Sequence, residues 1–407
     1  MMFGAIADGV THITGFLQGE DSLNTLRAFR AMGVEIEGPD ERGAVRIQGV
    51  GIDGLKAPLG DIDLGNSGTS IRLMSGLLSG QSFDVVLSGD RSLSKRPMKR
   101  VTDPLALMGA KVDSDEGGRP PLRIKGAAQI KGINYTLPMA SAQVKSCLLL
   151  AGMYAQGKTC VTEPATTRDH TERMLNAFGY PVETSENSMC IEGGGRLTAC
   201  DIDVPADISS AAFFLVGASI AEHSDITLRH VGINPTRIGV IEILRLMGAN
   251  IQLLNERLVG GEPVADIRVR SATLIGIDVP EVLVPLAIDE FPVLFVAAAC
   301  AQGKTVISGA EELRVKESDR IQVMEDGLQA LGVDAQATPD GMIIKGGPIK
   351  GGKVHSRDDH RIAMAFTMAA LRAESDIIIE DCENVNTSFP DFIGLSNSAG
   401  INVSITS

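Results

Sequence analysis

Residues 26–37 read LRAFRAMGVEIE: helix formers with their apolar side chains on one face, a glycine at Gly33, then the alternation of a strand. The phrase returns as LALMGAKVD around Gly109, LNAFGYPVE around Gly179, LRLMGANIQ around Gly248 and LQALGVDAQ around Gly332. A weaker copy, LSNSAGINV, surrounds Gly400, and the successive intervals are 76, 70, 69, 84 and 68 residues. A glycine directly after a helix suits a left-handed C-terminal cap. Six occurrences near one period indicate a repeated unit longer than the solenoid repeats of about 20–50 residues.

Each unit also holds a second helix, apolar nearly all round and therefore expected to be buried. The examples are NSGTSIRLMSGLLSG from Asn66, SAQVKSCLLLAG from Ser141, DISSAAFFLVGASI from Asp207, DEFPVLFVAAAC from Asp289 and DHRIAMAFTMAAL from Asp359. Each opens on polar residues and passes through a turn into a β-branched strand. The expected architecture is α/β: two domains, 1–205 and 206–407, each of three βαβαββ units, with the seam at CDIDVPAD near Pro205. The opening MMFGAIADGVTHIT aligns with LLLAGMYAQGKTCVT, placing Gly9 where Gly157 stands. Elsewhere 14 residues separate the polar start from the turn glycine (Asn66 to Gly80, Asp289 to Gly303). Fourteen residues before Gly9 falls ahead of Met1, so the first unit is expected to lack its leading strand and the polar end of its buried helix.

The 407 residues include 37 basic and 51 acidic side chains, a net charge of −14, with 44% apolar content and no Trp. That balance argues against a nucleic-acid partner held by bulk electrostatics. No window of about 18 uninterrupted apolar residues suggests a membrane span, and a cytoplasmic protein is expected. The six cysteines form no C-x-x-C pair, so neither a disulfide framework nor a zinc site is suggested, and idle reduced thiols are expected. Residues 152–159, GMYAQGKT, satisfy a phosphate-loop pattern. That pattern binds phosphate only between a strand and a following helix. Here an apolar helix precedes it and a strand follows, so it reads as a turn.

The polar openings of the buried helices are the candidate site. If these helices run parallel, their N-termini converge, and free N–H groups with partial positive charge favour anions. Onto that face would project Asn66, Ser67, Gly68 and Thr69; Ser141, Gln143 and Lys145; Asp289 and Glu290; Asp359, His360 and Arg361. Capping needs only Ser, Asp or Asn and leaves Gln143, Lys145 and Arg361 unexplained. Two basic loops add cations: GDRSLSKRPMKR with Arg91, Lys95 and Arg96, and ELRVKESDR with Arg314, Lys316 and Arg320 around Glu317. In an acidic chain, such clusters suggest focused binding of small anions.

The segments LGNSGTSIRL, GDRSLSKRPM, PMASAQVKSCLLLAG, TRDHTERML, GGEPVADIRVRS, ELRVKESDRI, DHRIAMAF and TSFPDF make the chain resemble the 5-enolpyruvylshikimate-3-phosphate synthases along its whole length. The resemblance implies an enolpyruvyl transferase-like fold of two three-repeat domains. It also implies enolpyruvyl transfer from phosphoenolpyruvate to shikimate 3-phosphate, with no metal or organic cofactor, glyphosate as an inhibitor, and a monomer. By motif, Ser141, Gln143, Arg168, Asp289 and Lys316 would hold shikimate 3-phosphate. Gly68, Arg96, Gln143, Arg320 and Arg361 would hold phosphoenolpyruvate, with Asn66 and Thr69 shaping its pocket. Asp289, Glu317 and Lys316 would be catalytic, Asp289 as proton acceptor and Glu317 in proton transfer to the methylene. The related transferase acting on UDP-N-acetylglucosamine has a cysteine in the loop matching GDRSLSKRPM, and this chain has none. The family's Ser-Lys-Ser-x-Ser-His-Arg segment would precede residue 1, so the alternative expectation is a chain inactive alone or dependent on a complementing N-terminal segment.

Overall fold

The computed structural model describes residues 1–406, the side chain of Thr387 excepted. It divides into two compact units, Met1–Val204 with Val259–Glu262, and Pro205–Leu258 with Pro263–Ser407. The first unit starts with α1 (Met2–Ile6), β1 (Val10–Thr14), α2 (Glu20–Ala31), β2 (Glu35–Glu37) and β3 (Val45–Gln48). A second repeat holds β4 (Ile62–Asp63), α3 (Gly68–Ser79), β5 (Val85–Ser88), α4 (Lys99–Leu107), β6 (Lys111–Asp115) and β7 (Arg119–Lys125). The third holds β8 (Asn134–Thr136), α5 (Ala142–Gly152), β9 (Lys158–Thr162), α6 (His170–Ala177), β10 (Glu183–Ser185) and β11 (Ser188–Glu192), after which comes β12 (Ile202–Asp203).

These strands form three four-stranded sheets of one topology, β4-β5-β7-β6, β8-β9-β11-β10 and β12-β1-β3-β2. In each, a parallel pair leads and an antiparallel hairpin closes. The first repeat therefore does not lack its leading strand, contrary to the sequence expectation. Ile202 and Asp203, arriving after the third repeat, pair in parallel with Ile13 and Thr14. A spacing argument looks only upstream, whereas a sheet accepts any segment the chain returns to its edge.

The second unit runs α7 (Ile208–Ile220), β13 (Asp225–Gly232), α8 (Gly239–Leu246), β14 (Asn250–Val259) and β15 (Glu262–Arg270). It continues with α9 (Phe291–Ala299), β16 (Lys304–Ile307), α10 (Arg320–Ala330), β17 (Asp334–Thr338) and β18 (Gly341–Lys345). It ends with β19 (Gly352–His355), α11 (His360–Ala369), β20 (Ile377–Glu380), α12 (Val385–Ser388) and α13 (Phe392–Ser398). The sheets are shorter: β13-β15-β14, β16-β18-β17 and the parallel pair β19-β20. Leading strands shrink to single bridges, such as Ala206 to Val231 and Ile275 to Gln302.

The six repeat glycines take φ between +76° and +96°, from Gly179 to Gly109. At each, the glycine N–H reaches back three residues and the next N–H five, as in Gly33 to Arg30 and Val34 to Phe29. This cap explains why glycine recurs in the phrase. The apolar helices pack inward as expected, α3 against α5 and α7, α9 and α11 on one another. Gly76 permits the first of these contacts: a Cβ there would lie 2.0 Å from the Cys147 carbonyl oxygen. Among the described residues, no helix is long and apolar enough to cross a membrane.

One expectation about the cysteines fails. Cys160 on β9 and Cys190 on β11 face each other across an antiparallel ladder, with Cα atoms 4.1 Å apart, and form a disulfide. Register brings together two residues 30 apart in sequence, which no local spacing reveals. The other four cysteines are free thiols. Burial pushes Cys147 and Cys300 up to about 12, which makes them inert.

Candidate active site

In the first unit, the openings of α3 and α5 lie side by side. Ser67 caps α3 by accepting from the Ser70 N–H, and Ser141 caps α5 by accepting from the Val144 N–H. With the caps satisfied by these serines, the residues beside them are available for other work. Gln143 donates to Thr69 Oγ1 at 2.9 Å and accepts from Arg72 Nη1 at 2.7 Å. Arg72 also reaches the Gly68 carbonyl at 3.3 Å. From the loop before α4, Arg96 donates through Nη2 to Asn66 Oδ1. The structure thus joins Asn66, Gly68, Thr69, Arg96 and Gln143 in one polar patch. Ser141 stands at its edge, and Arg168 is exposed on the loop between β9 and α6.

Arg72 is a member that the motif reading missed. Its signal was a lone charge inside an otherwise apolar helix. Burial, and then the nearby Arg100 and Arg96, push its guanidinium down to about 10. Three cations gathered within one acidic chain leave unspent positive potential at the helix openings.

Lys145 is a correction. Sequence placed it on the ligand face, but it is buried to 1% exposure, between Glu163 at 3.2 Å and Glu172 at 2.8 Å. Four residues past the cap, the helical period turns it inward rather than towards the open end. Arg314 is a second correction. Its guanidinium is spent on Asp319 Oδ2 and the carbonyls of Pro339 and Thr338, bracing a hairpin.

In the second unit, Arg320 opens α10, and its side chain is 1% exposed. Its Nε donates to Asp359 Oδ2 at 2.8 Å, and its Nη2 pairs with Glu317 Oε2 at 2.6 Å. Among the described residues Nη1 finds no hydrogen-bond partner, and it stands 3.7 Å from Asp289 Oδ1. Lys316 Nζ lies 3.4 Å from the same carboxylate oxygen. Arg361 Nη1 donates to the Asp289 carbonyl at 3.0 Å. Asp289, Lys316, Glu317, Arg320 and Arg361 therefore form one constellation.

Behind it, Asp359 caps α11 through the Arg361 N–H. Burial raises the Asp359 carboxyl, but Arg320, His360 and Ser318 outweigh it and hold the group below the usual range. Glu290, whose side chain accepts from Ser209, faces the interior, and burial pushes its carboxyl up. His360 is pushed down by burial and then by Arg361. These three support the constellation from below.

Residues 1–395 match the family described as EPSP synthase (3-phosphoshikimate 1-carboxyvinyltransferase). The chain is 68% identical over 402 residues to the 3-phosphoshikimate 1-carboxyvinyltransferase of Alkalilimnicola ehrlichii, covering 98% of this chain and 90% of that protein. It is 65% identical to the Methylococcus capsulatus protein of the same name, covering 100% and 93%. The solved EPSP synthase of Acinetobacter baumannii superposes with a TM-score of 0.96 at 60% identity, over 100% of this chain and 93% of that one. Nothing in these comparisons supports the alternative of a chain that is inactive alone. The eight sequence motifs, the repeated fold and these likenesses agree: the chain belongs to the EPSP synthase family.

Proposed function

We propose that the two constellations bind and process the substrates of the family's reaction. As a member of that family the chain is a transferase of the shikimate pathway, moving the enolpyruvyl group from phosphoenolpyruvate to shikimate 3-phosphate and releasing phosphate. In the first unit, Ser141, Gln143 and Arg168 take shikimate 3-phosphate. Gly68, Arg96 and Gln143 take phosphoenolpyruvate, with Asn66 and Thr69 shaping its pocket. In the second, Asp289 and Lys316 meet shikimate 3-phosphate, while Arg320 and Arg361 meet phosphoenolpyruvate.

Asp289 accepts the proton of the attacking hydroxyl, and Glu317 delivers one to the methylene carbon. The alkoxide oxygen bonds to the enol carbon, giving a tetrahedral intermediate. Loss of phosphate, which takes the proton held by Asp289, with return of a methyl proton to Glu317, restores the double bond. Lys316 and the arginines stabilise the charge that develops.

The observation that carries this reading is the Asp289 carboxylate between Lys316 and the unspent Nη1 of buried Arg320. A buried N–H group with no hydrogen bond among the described residues, facing a carboxylate only at 3.7 Å, calls for an explanation, and an anionic ligand supplies one. The test is phosphate release by the purified chain when both substrates are present. Release needing both, with one new enol ether product, supports the proposal; a folded chain that releases none sinks it.

Glyphosate inhibition belongs to the same proposal. A Cβ on Gly68 would lie 2.7 Å from Arg96 Nη1 and 2.9 Å from Arg72 Nη1. Both atoms end flexible side chains, so Gly68→Ala should fold and push the guanidiniums aside. An intrusion costing about 1–3 kcal/mol on the longer ligand should raise the glyphosate inhibition constant about one to two orders of magnitude more than the phosphoenolpyruvate KM. Equal changes would count against this pocket. We further take the protein to act as a monomer in the cytoplasm; its net charge of −14 favours dispersal in solution, and sedimentation with cell fractionation is the check.

A further inference from the structure

The place four residues past the cap of a buried helix is filled by Ile71 in α3, Ala211 in α7, Leu294 in α9 and Ala363 in α11, all buried. In α5 it is Lys145. The fold is thus built four times with an apolar side chain at this position, and a buried ion pair is often no more stabilising than well-packed hydrophobes. Stability alone does not account for the charge.

What the charge joins is informative. Lys145 sits on the helix whose opening carries Ser141 and Gln143. Its partners are Glu163, at the start of the β9–α6 loop, and Glu172, in the first turn of α6. Arg168 lies between them in the chain. Glu163 also accepts from the Thr167 N–H at 3.0 Å and the Thr167 hydroxyl at 2.6 Å, while Arg173 Nε holds Asp169 at 2.9 Å. Both chain neighbours of Arg168 are therefore tied down. Ser146, beside Lys145, is hydrogen-bonded to Thr171 at 2.7 Å.

We infer that Lys145 is a positioning residue for the shikimate 3-phosphate subsite, clamping both ends of the Arg168 loop to the helix that presents Ser141 and Gln143. It touches no ligand and acts through its two glutamates. Its removal frees the loop, so the spacing between Arg168 and the α5 opening is no longer held. The inference rests on the proposed assignment of Ser141, Gln143 and Arg168 to shikimate 3-phosphate.

Two variants test it: Lys145→Met, and the triple Lys145→Met, Glu163→Gln, Glu172→Gln, which leaves no unpaired buried charge. Steady-state kinetics with each substrate varied in turn, and amide hydrogen exchange over residues 164–169, are the readouts. The expected result is a KM for shikimate 3-phosphate raised at least about tenfold, as a charge-assisted contact loosened by one such factor allows. The KM for phosphoenolpyruvate should stay within about twofold, and exchange in the loop should speed up while α5 stays protected. An unchanged shikimate 3-phosphate KM, an equal rise for both substrates, or unaltered loop exchange in a folded variant overturns the inference. A triple variant that cannot fold also overturns it, since the cluster would then serve the fold. If the unmodified chain releases no phosphate, the proposed function falls instead, and loop exchange alone decides whether Lys145 holds the segment.

Discussion

Replacing Arg320 by alanine is expected to destabilise the second unit and to weaken phosphoenolpyruvate binding together. Arg320 and Asp359 are a fully buried pair, at 1% and 0% side-chain exposure. Removing one partner of such a pair typically costs about 3–5 kcal/mol, because the other is left as an uncompensated buried charge. Lost contact with an anionic ligand adds about 1.5–3 kcal/mol in binding, or roughly one to two orders of magnitude in affinity.

The pH dependence separates the two roles. In the intact protein, the Asp359 carboxyl is held below its ordinary 3.8. The pair therefore contributes stability above that value and loses it as pH falls through the depressed one. In Arg320→Ala, burial acts on Asp359 without its main counter-charge and favours the protonated form. The variant's deficit should then grow as pH rises through the unfolded value near 3.8. Denaturant unfolding at about pH 3.5 and pH 7 checks the sign; a deficit larger in acid would refute the pair's assigned role. Arg96→Ala, at a partly exposed side chain, should lower phosphoenolpyruvate affinity without this stability cost.

Asp289→Asn should leave the fold intact and cut turnover. Asparagine keeps the shape and can still accept from Lys316, but it cannot take a proton from the attacking hydroxyl. Loss of a positioned general base typically costs about 10²–10⁴ in rate. The expected result is a kcat lower by at least two orders of magnitude, with a melting temperature within a few degrees of the unmodified chain. A kcat within a factor of about three would remove Asp289 from the chemistry, leaving it as an anchor for Lys316 and for Arg361, which holds its carbonyl at 3.0 Å.

Much of this molecule is legible in one dimension, and the reason is local. The glycine after each outer helix must adopt positive φ, which restricts the residue at that place and makes the period visible. The buried helices announce themselves because an apolar surface all round cannot face water. Capping accounts for a serine or an aspartate at each opening, such as Ser141 and Asp359, and the polar residues that capping does not require, Gln143 and Arg361, stand out without any structure. The phosphate-loop decoy falls to the same kind of reasoning, since α5 precedes residues 153–157 and β9 follows them.

What the tertiary structure decided depends on which distant segments meet. Ile202–Asp203 completes the first sheet from the far end of the unit. Cys160 and Cys190 pair because β9 and β11 are in register. Lys145 and Arg314, cations by composition, turn away from the ligand face because buried carboxylates and open carbonyls lie nearer. Arg72, a lone charge whose destination the sequence does not reveal, reaches the site because α3 and α5 cross at Gly76 and bring Gln143 within 2.7 Å. Local propensity specifies the conformation of each segment; the destination of a charged side chain is set by the neighbours that folding supplies.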